Sequence, residues 1–242
     1  MKIVKSMKNV KMKSVLFFII LFVGILGSGY CFAEEEQTLG KIDYIYLFKT
    51  SFVMMALLGQ SIVSLGFIFE RYFYFRKIKF NANKRMKEIK EMVSNKDFDS
   101  ILVSCDQNKN PLNNVIKIVV ENKEKDKADL EEIYDIVRSN EKDKMEKFMV
   151  ILGTSTAIAP LLGLLGTVTG IMEAFSNLAA SGTGGPAVIA SGVSEALVTT
   201  AFGLLIGMPV LFFFNVFNSK IKLTLSEMDS SIKLLFLALE KK

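Results

Sequence analysis

The sequence contains no histidine, and only two of its 242 residues are cysteine. Without imidazole, neither His-based triads nor Cys/His zinc sites can be built, and Cys31 and Cys105 are too few for a disulfide framework. No Asp-rich loop has the spacing of an oxygen-ligand cage, and no GxxxxGK phosphate loop occurs. The chain is therefore expected not to be an enzyme and to carry no metal or organic cofactor. Charge is also scarce. Asp, Glu, Lys and Arg make up 23% of the residues against 50% apolar, too apolar for an ordinary soluble domain and far from the profile of a disordered chain. The formal net charge of +5 would by itself suggest nucleic acid or an anionic surface. Its position removes that reading: Lys2, Lys5, Lys8, Lys11 and Lys13 supply all five charges, and the chain from Ser14 onward balances. No nucleic-acid partner is expected.

The order of segments is that of a membrane protein. Residues 1–33 have the plan of a signal peptide: a basic start, an apolar run from Val15 to Leu26, and small residues before a cleavage point after Ala33. The alternative is an uncleaved anchor over Ser14 to Ala33. Residues 34–41 follow as a periplasmic segment. The first mature span is expected at 42–69, where Thr50 to Phe69 is free of charge, and a cytoplasmic helical region at 70–147. Within that region Met86, Ile89, Met92 and Val93 form one apolar stripe, and Leu130, Ile133, Ile136 and Val137 another. Asn95-Lys96-Asp97 and Asn108-Lys109-Asn110-Pro111 read as helix breaks. Cys105 reads as a small core residue, and the mixed charges from Lys123 to Asp129 as a solvated face. A second span is expected at 148–172, a short periplasmic loop at 173–186, a third span at 187–217 and a cytoplasmic C-terminal helix at 218–242. Arg71, Arg76, Lys77 and Lys79 after the first span, and Lys220 and Lys222 after the third, mark those ends as cytoplasmic. The Thr183-Gly184-Gly185 turn has nothing basic beside it and reads as a tight loop, not a phosphate cradle. The fold class is all-α: three mature transmembrane helices with a helical cytoplasmic insert.

The last two spans carry the chemistry. Thr156, Ala159, Pro160, Gly163, Thr167 and Gly170 recur at steps of three or four in the second, giving a face of small and hydroxyl residues on which helices can approach closely. In the third, Glu195 is the only ionisable residue between Pro186 and Phe217. At about 100° per residue, Gly192, Ala196, Thr199, Thr200, Gly203 and Gly207 lie within about 140° of it on one side, while Leu197, Val198, Ala201, Leu204, Leu205 and Met208 form the opposite side. Phe202 and Ile206 interrupt the polar sector as an apolar edge. A carboxylate at such depth costs roughly 2.5–3.5 kcal/mol even on lenient insertion scales, so it should face a bundle interior or an aqueous cavity and is a functional candidate.

These residues bring a known family into view. The run from Ala159-Pro160-Leu161-Leu162-Gly163-Leu164-Leu165-Gly166-Thr167 to Phe175, the run Glu195-Ala196-Leu197-Val198-Thr199-Thr200-Ala201-Phe202-Gly203-Leu204, and the Glu70-Arg71 pair with Arg76 after the first span resemble the ExbB and TolQ proteins of the MotA/TolQ/ExbB family. That resemblance implies an inner-membrane motor subunit driven by the proton motive force. It implies a homopentamer whose second and third spans line a central pore, around an ExbD- or TolR-like single-span partner with a membrane Asp that takes up and releases the ion. A TonB- or TolA-like protein would receive the force. The translocated ion would be H+, with Na+ as the alternative. Carried over to this chain, the pore-lining residues are Thr167, Glu195 and Thr200, with Thr199 and Asn215 as secondary positions. Glu195 and Thr200 stand about 140° apart on an ideal helix, so both cannot point straight at one axis. The flagellar-stator branch normally has four spans and a larger cytoplasmic domain, so three mature spans favour the transport branch. A membrane scaffold, with Glu195 as a structural acid, is the alternative from a different class.

Overall fold

A computed structural model describes residues 52–78, 88, 91–92, 95, 97–107, 110–181 and 186–240. The signal segment, Cys31, the start of the first span and the Thr183-Gly184-Gly185 turn lie outside these residues, as do Met86, Ile89 and Val93 of the first stripe. Among the described residues every element is a helix: α1 (Phe52–Lys77), α2 (Phe98–Gln107), α3 (Pro111–Glu121), α4 (Lys127–Glu146), α5 (Met149–Ser181) and α6 (Pro186–Glu240). Three are long and apolar enough to cross a membrane, Phe52–Lys77, Met149–Ala180 and Ile189–Leu239, and the chain is a multi-pass membrane protein.

Two helices outrun their charge-free stretches. The residues after Met172, Glu173 to Ser181, continue α5 as helix, because Glu, Ala and Leu are helix formers and no glycine or proline intervenes before Gly182. The third span and the C-terminal segment form one 55-residue helix, since nothing between Val210 and Glu240 breaks it. At 1.5 Å per residue α6 is about 80 Å long, against a hydrocarbon core of roughly 30 Å. Only its part before Lys220 is free enough of charge to sit in lipid. Asp229 and the rest of the C-terminal stretch lie beyond it.

The described residues fall into two compact units. The first holds the start of α1, to Val63, with residues 155–210 of α5 and α6. Its core is Val53, Met54 and Leu57 of α1 against Ala159 of α5 and Ile206 of α6, with Leu162 and Phe202 packed on them. The apolar edge formed by Phe202 and Ile206 is thus the surface on which α1 rests. The Gln60 amide nitrogen donates to the Ser155 carbonyl at 2.9 Å, next to the Thr156 carbonyl whose helical donor Pro160 removes. Outward, Leu161, Leu164, Val168, Leu197, Leu204 and Met208 are exposed, an apolar surface suited to lipid or to apolar neighbours.

The second unit comprises residues 64–154 and 211–242. Both expected breaks are found: Asp97 precedes α2, and Asn110 caps α3, its side chain accepting from the Asn113 amide at 2.9 Å, with Pro111 at the first helical position. Asp126 caps α4 in the same way. Cys105 is buried beside Ile101 of α2, with Leu112, Val115, Ile116 and Val119 of α3 also in the core. Lys123 lies over the Phe98 ring at 3.8 Å, while Glu124 to Asp129 face solvent as expected. The second stripe needs one correction. Leu130 and Val137 are buried but Ile136 is 56% exposed; the buried face of α4 runs instead through Leu130, Val137, Glu141 and Met145, because the packing phase favours the steps of four and seven. Further along, Phe75 stacks on Phe217 with centroids 5.6 Å apart. Arg138 Nε and Nη2 hold Asp229 at 2.5 and 3.0 Å, and the Tyr134 hydroxyl donates to the same carboxylate. Burial, and then that hydrogen bond, push the Tyr134 phenol well above its ordinary range, while the Arg138 contact holds the Asp229 carboxyl below its own.

Candidate functional site

The site grows out of the contact between α5 and α6 in the first unit. Glycine makes that contact possible. A Cβ added to Gly203 would lie 2.6 Å from the Ala159 carbonyl oxygen and 2.9 Å from the Gly163 Cα, and one added to Gly163 would lie 3.1 Å from the Thr200 Cα. The two backbones touch, which is the geometry that small residues permit in membranes. In the first unit the buried positions of α5 are Ser155, Ala159, Gly163, Gly166 and Ala174; Ala159 and Gly163 of the expected face are central, whereas Thr156, Pro160 and Thr167 lie at its half-buried margin.

On α6 the face centres on Ala196, Thr199, Gly203, Ile206 and Val210, all buried. Thr199 is 3% exposed, its hydroxyl donating to the Glu195 carbonyl at 3.1 Å. Glu195 and Thr200 flank this face on opposite edges, so their wide angular separation is the width of the surface that α6 presents to its neighbours. Thr200 bridges the helices, its hydroxyl donating to the Gly163 carbonyl at 2.9 Å. Thr167 turns back on its own helix, donating to Leu164 O at 2.6 Å. Asn215 belongs to the second unit and is exposed there.

Glu195 opens on a cleft of about 380 Å³ lined by Gly170, Glu173, Ala174, Asn177, Ser191, Gly192 and Glu195. At the floor of this cleft Gly170 and Gly192 let the two helices come close: a Cβ on Gly170 would meet the Ala196 Cβ at 3.0 Å, and one on Gly192 the Ala174 Cβ at 2.4 Å. The cleft gathers a second carboxylate, an amide and a hydroxyl around the one acid that lies between Pro186 and Phe217. Such a wall can hold water, pass a proton between oxygens, or attract a cation. Glu173, Asn177 and Ser191 were not among the residues singled out from the sequence. Glu173 falls at the start of the loop expected at 173–186, and only the continuation of α5 through Ser181 brings it to the cleft; the sequence signal is the absence of any helix breaker before Gly182. No group of three or more Asp, Glu or Cys is placed to hold a metal among the described residues.

Comparison with known proteins agrees with this region. A sequence profile described as the MotA/TolQ/ExbB proton channel family matches residues 107–230, just over half of the chain. The chain is 25% identical over 169 residues to the biopolymer transport protein ExbB-like 3 of Synechocystis, covering 69% of this chain and 80% of that protein. It is 41% identical over 87 residues to the biopolymer transport protein ExbB of Salmonella typhimurium, covering 35% of this chain and 36% of that one. With the Tol-Pal system protein TolQ of Pseudomonas aeruginosa it shares 38% identity over 82 residues, 34% of this chain and 36% of the other. The chain thus spans only about a third of the length of the last two.

Proposed function

We propose that this chain, which belongs to the MotA/TolQ/ExbB proton channel family, is a subunit of an inner-membrane motor driven by an ion-motive force. It uses the flow of H+, or of Na+, to energise biopolymer transport or envelope maintenance. The observation that carries this reading is the placement of Glu195: the sole ionisable residue of its span opens on a polar cleft at the edge of a glycine-tight helix pair. Burying a charge there has a cost that only use or pairing would retain. One charge crossing 100 mV releases about 2.3 kcal/mol, and a carboxylate beside a moving acid makes the protonation state of that acid decide its electrostatic cost. The acid is the membrane Asp of an ExbD- or TolR-like partner, housed by a pentamer of this chain, with force passed on to a TonB- or TolA-like protein. In this reading the mature N-terminus is periplasmic, the C-terminus and the 70–147 helices are cytoplasmic, and the chain is not an enzyme and needs no cofactor. The names of the relatives support both branches, transport and Tol-Pal.

The test is replacement of Glu195 by Gln and by Ala in cells that depend on the chain. Loss of envelope-dependent uptake or integrity at normal protein level supports the motor; full retention of both sinks it. One observation favours a second reading, a non-conducting scaffold: Thr200 is already engaged by Gly163, a packing role. A scaffold predicts that Glu195→Gln is silent and that Thr200→Ala acts only through protein level.

A further inference from the structure

The turn between α4 and α5 holds a residue that the backbone there does not favour. Lys147 has φ −50° and ψ 130°, and Phe148 has φ 65°. The Lys147 dihedrals followed by a positive φ are those found at the centre of a type II turn, whose third position ordinarily takes glycine because φ is positive there. Phe148 is the one non-glycine residue in that region among the described residues, and an aromatic side chain is among the least suited to it. Something in the surroundings must hold it.

Arg71 lies beside Phe148, with Lys147 Nζ 4.9 Å from the same ring. Arg71 is 1% exposed although it is a full charge near the end of a span. Its Nη1 donates to the carbonyls of Lys144 and Met145 at 3.2 and 3.3 Å, satisfying oxygens in the last turn of α4 that have no helical donor. Its other nitrogens grip the neighbouring Glu70, Nη2 to Oε1 at 2.6 Å. The guanidinium lies 4.4 Å from the centre of the Tyr74 ring and 5.5 Å from that of Phe148, and Phe148 also packs on Phe67 at 4.7 Å. Phe67, Arg71 and Tyr74 are spaced by four and three residues on α1 and so form one face. One arginine therefore caps α4 and faces the ring of the residue that turns the chain into α5.

We propose that Arg71 is a positioning residue that locks Phe148 in its left-handed conformation and so fixes the elbow at which α5, the helix that carries Thr167, leaves α4. A planar fork is required, since a lysine ammonium cannot cap two carbonyls, hold a carboxylate and face two rings at once. The elbow stands independently of the motor reading; only its consequence for an ion-driven cycle rests on that reading.

Backbone hydrogen exchange in the full chain in lipid nanodiscs tests the elbow without any assay of ion flow. The reporter is the Leu152 amide, which donates to the Phe148 carbonyl at 3.2 Å. Arg71→Lys is expected to speed its exchange about tenfold, on the order of the population ratio that the left-handed penalty of a non-glycine residue represents. Adding Phe148→Gly to Arg71→Lys is expected to return the rate to that of the unaltered chain, because glycine takes a positive φ without the lock. A merely structural arginine would not be rescued in this way, since removing the Phe148 ring would loosen the packing further. If Arg71→Lys does not fold, Tyr74→Leu keeps the fork and removes one ring beside it, with a smaller acceleration that Phe148→Gly again cancels. No acceleration in either variant, or acceleration that Phe148→Gly leaves in place, overturns the proposal. Lost ion-driven activity in Glu195→Gln would leave this result untouched.

Discussion

Thr200 and Gly163 are joined across two helices: the threonine hydroxyl donates to the glycine carbonyl at 2.9 Å. The bond exists because Gly163 has no side chain to hold α6 away, and because a carbonyl already used within its own helix keeps a second lone pair. It sets Thr200, a residue proposed to line an ion path, into the close packing of the two spans.

Replacing Thr200 by Ala removes this bond, and hydrogen bonds between membrane helices contribute about 0.6 kcal/mol on average and up to about 1.7. Thermal unfolding of the purified chain in detergent should show a loss in this range, and Thr200→Ser should recover most of it. Recovery of stability without recovery of transport in Thr200→Ser would separate the threonine methyl from the hydroxyl as the functional group.

Gly203→Ala places a Cβ 2.6 Å from the Ala159 carbonyl, an overlap that only separation of the helices relieves. Overpacking of this kind costs about 1–3 kcal/mol. Nothing lies within 4 Å of a Cβ added at Gly59 or Gly66 of α1, so Gly59→Ala and Gly66→Ala should be neutral, or stabilising by up to about 1 kcal/mol through helix propensity. Melting midpoints of the three variants, run side by side, check the contrast.

The Asp229 carboxyl is held below its ordinary pKa, first by the Arg138 hydrogen bond. A group whose folded pKa is depressed stabilises the fold above its unfolded value, near 3.9, and that stabilisation disappears as pH falls through the lower folded value. Acidification below about pH 4 should therefore lower the melting midpoint, by an amount equivalent to about 1 kcal/mol or less for so exposed a pair. Asp229→Asn should be less stable at pH 7 and should lack this acid-dependent component.

Asn110→Ala should cost about 1 kcal/mol by removing the acceptor for the Asn113 amide, and Asn110→Asp should retain it. Urea titration followed by helical circular dichroism distinguishes the two. Equal loss in both would mean that the cap is not the source of the stability.

Much of this molecule is legible in its sequence. Long charge-free stretches can bury their backbone in lipid only as helices, so three spans follow from composition. Asp97 and Asn110-Pro111 break helices by local chemistry, and a lone acid in an apolar run marks itself, as Glu195 does. Helical periodicity also fixes the angle between any two side chains of one helix. It does not fix which direction that helix turns toward its neighbours. That phase is decided by the fit of α5 to α6 at Gly163 and Gly203, and it makes Thr199 a buried residue, Thr200 a bridge and Thr167 a bond within its own helix. The same holds where chemistry is assembled from distant segments. Glu173 and Asn177 reach the Glu195 cleft only because α5 runs on to Ser181, and Arg71 is a buried clamp, not merely a charge beside a membrane, only because the end of α4 is placed against it. Residue types and their spacing are local quantities that sequence states directly; contact between residues tens of positions apart depends on the packing of whole helices, which only the tertiary structure decides.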